Sequence, residues 1–103
     1  MATKTATIKF TALHCIRQQD VTGSDEPHLF IDGVDTWNGV VKKGDSAPLS
    51  ISRSFDGSMN VILKEKNPSS WKTIGTVTIE TGEPAPAVFK TSGAHYELWY
   101  TVS

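Results

Sequence analysis

Apolar and polar residues alternate one by one along most of the chain, as they do in strands that bury one face. Helical periodicity is nearly absent. The alternation predicts a strand, a hairpin and five further strands: Thr7–Cys15, His28–Asn38, Pro48–Phe55, Met59–Lys66, Thr73–Glu80, Ala87–Thr91 and His95–Val102. Within the hairpin, Asp32-Gly33 separates the runs HLFI and VDTW. Asp-Gly favours a tight type I′ turn, because both central residues of that turn need a positive φ.

Regular spacing of short strands, separated by Gly, Pro, Asn, Asp and Ser, is typical of antiparallel β architectures. The sequence therefore predicts one all-β domain over residues 1–103, an antiparallel β-sandwich of seven or eight short strands. Strict alternation places Ile8, Phe10 and Ala12 on one face of the first strand and Leu13 on the other. In Met59–Lys66 it places Glu65 at the end of an otherwise apolar row.

Composition narrows the possible partners. The 103 residues carry a formal net charge of -1, without the basic excess expected of a nucleic-acid binder. No apolar run is long enough for a membrane-spanning helix, and the N-terminal residues lack a signal-peptide pattern. These patterns predict a protein that is cytoplasmic or released without a signal. The single cysteine, Cys15, cannot form an internal disulfide.

The densest polar segment of the chain is DVTGSDEP, which contains Asp20, Asp25 and Glu26. Carboxylates this close together repel one another, so they are either solvated in a loop or neutralised by a cation. Oxygen ligands on a flexible, glycine-containing loop suit Ca²⁺. An acidic surface loop without metal is the alternative.

A later segment, VILKEKNPSSWKTIG, is a predicted strand followed by a short loop and Ile-Gly. Together with the earlier acidic loop it resembles the C2 family of calcium-dependent β-sandwiches. The resemblance matches Asp20 and Asp25 to the first calcium loop, and Glu65 and Asn67 to the second acidic pair. It departs from the family pattern in offering Glu65 and Asn67 where aspartates are usual, with Lys66 and Lys72 close by. An immunoglobulin-like sandwich would have a similar number of strands.

The resemblance implies a calcium-binding module that presents its loop rim to a membrane headgroup, a glycan or a protein, as lectin-like modules also do. Glu26 joins the other four residues as a candidate ligand. Two of the three tryptophans are expected in the core. Trp71 is the exception, because it lies in a turn-rich loop beside Lys72, and we expect both residues to contact the partner.

Motifs for catalysis are missing: there is neither G-x-S-x-G nor H-E-x-x-H, and the three histidines lack zinc-ligand spacing. The sequence therefore predicts no enzyme. The alternative function is a structural or assembly protein that self-associates through a sheet edge or face without bound metal. The mass in solution distinguishes such a homo-oligomer from a monomeric binding module.

Overall fold

A computed structural model describes residues 5–17, 26–66, 70–91 and 93–103, which form eight β-strands. These are β1 (Thr5–Arg17), β2 (Pro27–Ile31), β3 (Val34–Asn38), β4 (Ser46–Asp56), β5 (Ser58–Lys66), β6 (Trp71–Glu80), β7 (Ala87–Lys90) and β8 (His95–Val102). The described residues contain no helix, and so none that could cross a bilayer. The predicted all-β class is confirmed.

The strands form two four-stranded sheets, with the orders β4-β1-β8-β7 and β3-β2-β5-β6. Every hydrogen-bonded pair of strands is antiparallel. We call them the first and the second sheet. Their inward side chains form one hydrophobic core, in which Ile8, Leu13, Leu63, Phe89 and Tyr96 are all fully buried. The predicted sandwich is confirmed.

The turn between β2 and β3 forms as its two residues predict. Asp32 has a φ of 49° and Gly33 a φ of 84°, the positive values that a type I′ turn requires. The Asp32 side chain also reaches β5, where its Oδ1 accepts a hydrogen bond from the Asn60 N–H at 3.0 Å. This contact ties the hairpin to the strand beside it.

The face assignment in β1 is correct only for its first half. The pairing register shifts between Phe10 and Ala12 against both neighbouring strands. One extra residue at this β-bulge moves the following side chains to the opposite face. Leu13 and Cys15 are therefore fully buried, whereas strict alternation placed Leu13 on the face opposite Phe10.

The odd-numbered strands end, and the even-numbered strands begin, at the same end of the sandwich. Within the second sheet, Pro27 pairs with Glu65 and Lys66 with Trp71; within the first, Arg17 pairs with His95. Residues 39–45 join the two sheets here, since the Gly39 N–H donates to Pro27 (3.2 Å) and the Cys15 N–H to Asp45 (2.8 Å). We call this the loop end, and the opposite end, with the Asp32-Gly33 turn, the turn end.

Gly75 on β6, an edge strand of the second sheet, lies against Phe89 on β7, an edge strand of the first sheet. A Cβ added at Gly75 would lie 3.1 Å from Cα, Cβ and Cδ1 of Phe89. Gly75→Val is therefore expected to lower the free energy of unfolding by about 1–3 kcal/mol, because overpacking displaces the β7 backbone. Urea unfolding measures the loss, with Thr76→Val on the exposed face of the same strand as the control. Equal stability of the two variants would contradict this prediction, because it would show that β7 moves aside without a cost in free energy.

Candidate functional site at the loop end

The described members of the predicted site are neighbours at the loop end of the second sheet. Asp20, Asp25 and Asn67 lie outside the described residues. The Lys66 N–H donates a hydrogen bond to the Glu26 carbonyl at 3.2 Å, so the segment entering β2 lies beside the end of β5. Glu65 is the register partner of Lys72.

Glu65 is a buried carboxylate at this end. It continues the inward-facing row of β5 and is 1% exposed, as the alternation predicted. Its register partners are Pro27 on β2 and Lys72 on β6, while Glu26 is exposed. Within residues 5–17, 26–66, 70–91 and 93–103, no three His, Cys, Asp or Glu residues are grouped to hold a metal. The described part of the chain thus supplies at most part of a cation site.

Trp71 is the first residue of β6, which corrects its assignment to a loop. Its pairing with Lys66 extends the ladder two residues beyond the predicted strand start at Thr73. The indole is 42% exposed. It meets the His28 ring edge-on, with the centroids 4.7 Å apart, and the Phe30 ring edge-on at 5.6 Å.

Two lysines on β5 lie against these rings. Lys66 Nζ is 4.6 Å from the Trp71 ring centroid, and Lys64 Nζ is 4.9 Å from the Phe30 centroid. Both distances are within the range of cation–π attraction. We call His28, Phe30, Lys64, Lys66 and Trp71 the aromatic cluster. It lies on the outer face of the second sheet and combines exposed aromatic surface with positive charge.

His28 is fixed from its other side. Its Nδ1 lies 2.8 Å from Asp35 Oδ2 on β3. The imidazole is therefore held between this carboxylate and the Trp71 ring, and it supports the indole from one side. A side chain positioned in this way loses little conformational entropy when a partner binds.

The other two tryptophans are not both in the core. Trp37 is partly buried and packs against the core. Trp99 is 42% exposed, because it alternates with the inward-facing Leu98 and Tyr100 and so points outward from the first sheet. The expectation that two tryptophans would lie in the core is wrong for Trp99.

Charge is segregated between the two ends of the sandwich. The described lysines and arginines near the loop end are Arg17, Lys42, Lys43, Lys66, Lys72 and Lys90. Described carboxylates near that end are Glu26, Asp45 and Glu65. At the turn end, residues 31–34, 56–58 and 80–87 include Asp32, Asp56, Glu80 and Glu83 and no lysine or arginine. The net charge of -1 is therefore unevenly distributed. Among the described residues, cations are in excess at the loop end and carboxylates at the turn end.

Sequence reasoning missed Phe30, Lys64 and Lys66 as functional residues. Their signal is present in the sequence, because Phe30 occupies an outward position of β2 while Lys64 and Lys66 occupy outward positions of β5. Placing neighbouring strands side by side would have brought them together.

Comparison with known proteins agrees with this architecture. The chain is similar to a solved structure described as "Structure of a C2 domain", with a TM-score of 0.53 and 9% sequence identity. The similarity covers 96% of this chain and 97% of that one. No model of a protein family and no curated protein matches the sequence. The chain therefore has a C2-like β-sandwich fold, as its motifs predicted, and at this identity the likeness concerns the fold alone.

Proposed function

We propose that this protein is a non-enzymatic binding module that docks its loop end on an anionic membrane surface. The observation that carries the proposal is Trp71, which is 42% exposed and held in place by two ring contacts with Lys66 beside it. Tryptophan favours the membrane–water interface, because its ring is apolar and its N–H is polar.

The charge segregation supports the same orientation. Lysine and arginine near an anionic leaflet are each worth about 1 kcal/mol, and the attraction decays within a Debye length. The described cations at the loop end are therefore drawn toward the surface, while the described carboxylates at the turn end, with Asp56 and Glu80, are turned away. The aromatic cluster then lies at the depth of the headgroups.

A glycan is the weaker candidate. Sugar rings stack on an open aromatic face, whereas Lys66 Nζ already lies 4.6 Å from the Trp71 centroid. A lysine beside an indole suits a headgroup phosphate better, because the cation pairs with the phosphate while the ring contacts the acyl boundary. If the partner were a protein, the chain would not bind vesicles made of lipid alone.

The proposal is tested with vesicles of phosphatidylserine and phosphatidylcholine. Trp71→Ala is expected to weaken binding about tenfold or more, the usual cost of truncating a tryptophan anchor. Trp99→Ala is the matched control, because Trp99 is equally exposed, at 42%, but lies on the other sheet. Sedimentation with vesicles measures both affinities. Equal losses in the two variants, or no binding of the parent chain, would contradict the proposal.

A second candidate function is calcium binding at the same end. It is supported by Glu65, a carboxylate that is 1% exposed, and by Glu26, whose backbone lies beside β5. Asp20, Asp25 and Asn67 would complete the oxygen ligands that the C2 resemblance implies. A bound Ca²⁺ would also add positive charge to the loop end and strengthen docking, whereas Lys66 and Lys72 would lower the affinity for the metal.

A further inference from the structure

A cavity of about 420 Å³ opens at the loop end of the first sheet, whereas the aromatic cluster lies on the second sheet. Its described lining includes the basic residues Arg17, Lys43, Lys90 and His95 and no carboxylate. The volume lies within the range of small-molecule sites. The composition of its wall therefore indicates an anion.

Backbone pairing places three of these side chains in one row. Arg17 pairs with His95 on the adjacent strand, and His95 pairs with Lys90 on the next. Neighbouring strands are about 4.7–4.9 Å apart, so the backbones of Arg17 and Lys90 are separated by two such spacings, a distance over which their long side chains can converge on one oxyanion. Arg17 and Lys90 lie on either side of His95 in this row, so an anion between them would offset their mutual repulsion.

The fourth basic residue comes from the connection between β3 and β4. The Gly44 N–H donates to the Cys15 carbonyl at 2.7 Å, and the Cys15 N–H donates to the Asp45 carbonyl at 2.8 Å. These bonds fix Lys43 at the end of β1. The carboxylate of Asp45 accepts the Lys42 N–H at 2.8 Å and does not line the cavity. Glu97, two residues along β8 from His95, is also outside the lining.

Two other cavities of similar volume do not share this chemistry. One of about 520 Å³ near the turn end includes Glu83 and Tyr100 but no described lysine or arginine. One of about 410 Å³ on the first sheet includes Lys9 as its only described cation. Of these three cavities, the one at the loop end has the most basic side chains in its described lining.

We propose that this cavity binds a phosphate oxyanion. The planar guanidinium of Arg17 donates two parallel hydrogen bonds to phosphate oxygens, and Lys43 and Lys90 contribute positive charge. The site does not use Trp71, so it stands apart from the proposed docking by the aromatic cluster.

Inorganic phosphate is the probe. Melting in phosphate is compared with melting in chloride at equal ionic strength, and the backbone amides of His95 and Thr91 are followed by NMR. Saturable binding is expected, with a rise in Tm of about 6–11 °C at about ten times Kd. Phosphate also stabilises proteins nonspecifically, but that effect neither saturates nor depends on particular side chains.

The double variant Arg17→Gln, Lys90→Gln is expected to bind phosphate at least about tenfold more weakly. Its control is Lys9→Gln, Arg53→Gln, which removes the same charge away from the cavity. Trp71→Ala should bind phosphate like the parent chain, which separates this proposal from docking by the aromatic cluster. A non-saturating response, or one that is identical in both double variants, would overturn the proposal.

Vesicles identify the source of the phosphate. Phosphatidic acid presents a phosphate monoester, and phosphatidylserine at equal surface charge does not. Preference for phosphatidic acid that disappears in Arg17→Gln, Lys90→Gln assigns the site to a lipid headgroup. Saturable binding of inorganic phosphate without that preference assigns it to a free phosphate compound.

Discussion

Replacing Lys66 and Lys72 by glutamate is expected to weaken binding to phosphatidylserine vesicles by at least about a hundredfold. Each lysine near an anionic surface contributes about 1 kcal/mol, and each glutamate in its place adds repulsion of similar size. A tenfold change in affinity corresponds to about 1.4 kcal/mol. The double reversal also removes the cation that lies 4.6 Å from the Trp71 ring centroid. Vesicle sedimentation at several salt concentrations measures the loss.

The control for this reversal is Lys9→Glu, Arg53→Glu, which gives the same net charge but changes residues on β1 and β4, away from the loop end. Its affinity for vesicles should stay within about threefold of the parent chain, since charges beyond a Debye length from the surface are screened. Similar losses in the two double variants would mean that net charge, and not the loop end, governs binding.

Saturating calcium is expected to raise Tm by about 10–20 °C, and a chelator should reverse the rise. A ligand that binds only the folded state stabilises it by about 2.7 kcal/mol at one hundred times Kd. In a domain of this size, each kcal/mol moves Tm by about 4–8 °C. Magnesium should do much less, because it keeps its waters and requires octahedral geometry.

Asp20→Asn, Asp25→Asn should abolish the calcium effect while the fold is retained, and Glu65→Gln should weaken it. The titration must extend into the millimolar range, because Lys66 and Lys72 oppose a divalent cation. No rise in Tm with a folded protein would mean that the acidic segment is simply solvated. Self-association without metal would then be tested by the mass in solution.

Most of the fold follows from local sequence, because one buried face per strand imposes a period of two on the side chains. Every predicted strand exists, and Asp32-Gly33 turns as expected because few residues other than glycine and aspartate accept a positive φ. Glu65 was placed correctly on an inward row. The remaining errors arose where contacts distant in sequence decide the structure.

The bulge after Phe10 is one such case. It depends on the pairing of β1 with two strands far along the chain, so the alternation within β1 could not reveal it. Trp71 is another, because the ladder to Lys66 extends β6 into a segment whose composition suggested a loop. Trp99 was assigned to the core from average burial, although its own strand pattern places it outside.

The candidate site was predicted in part. Motifs led to Glu26, Glu65, Trp71 and Lys72, which lie together at the loop end. Motifs could not reveal Lys64, since its role depends on its position beside Phe30 on the neighbouring strand. Total charge likewise says nothing about its distribution, and among the described residues the distribution supports the proposed orientation.

The most direct test compares Trp71 with Trp99 at a membrane. The indole N–H signals of the two residues are recorded in bicelles of phosphatidylserine and phosphatidylcholine that contain a doxyl-labelled lipid. Both side chains are 42% exposed, but they lie on different sheets. If the loop end docks, the spin label broadens the Trp71 signal and leaves the Trp99 signal sharp. Equal broadening, or broadening of Trp99 alone, would contradict docking through the loop end.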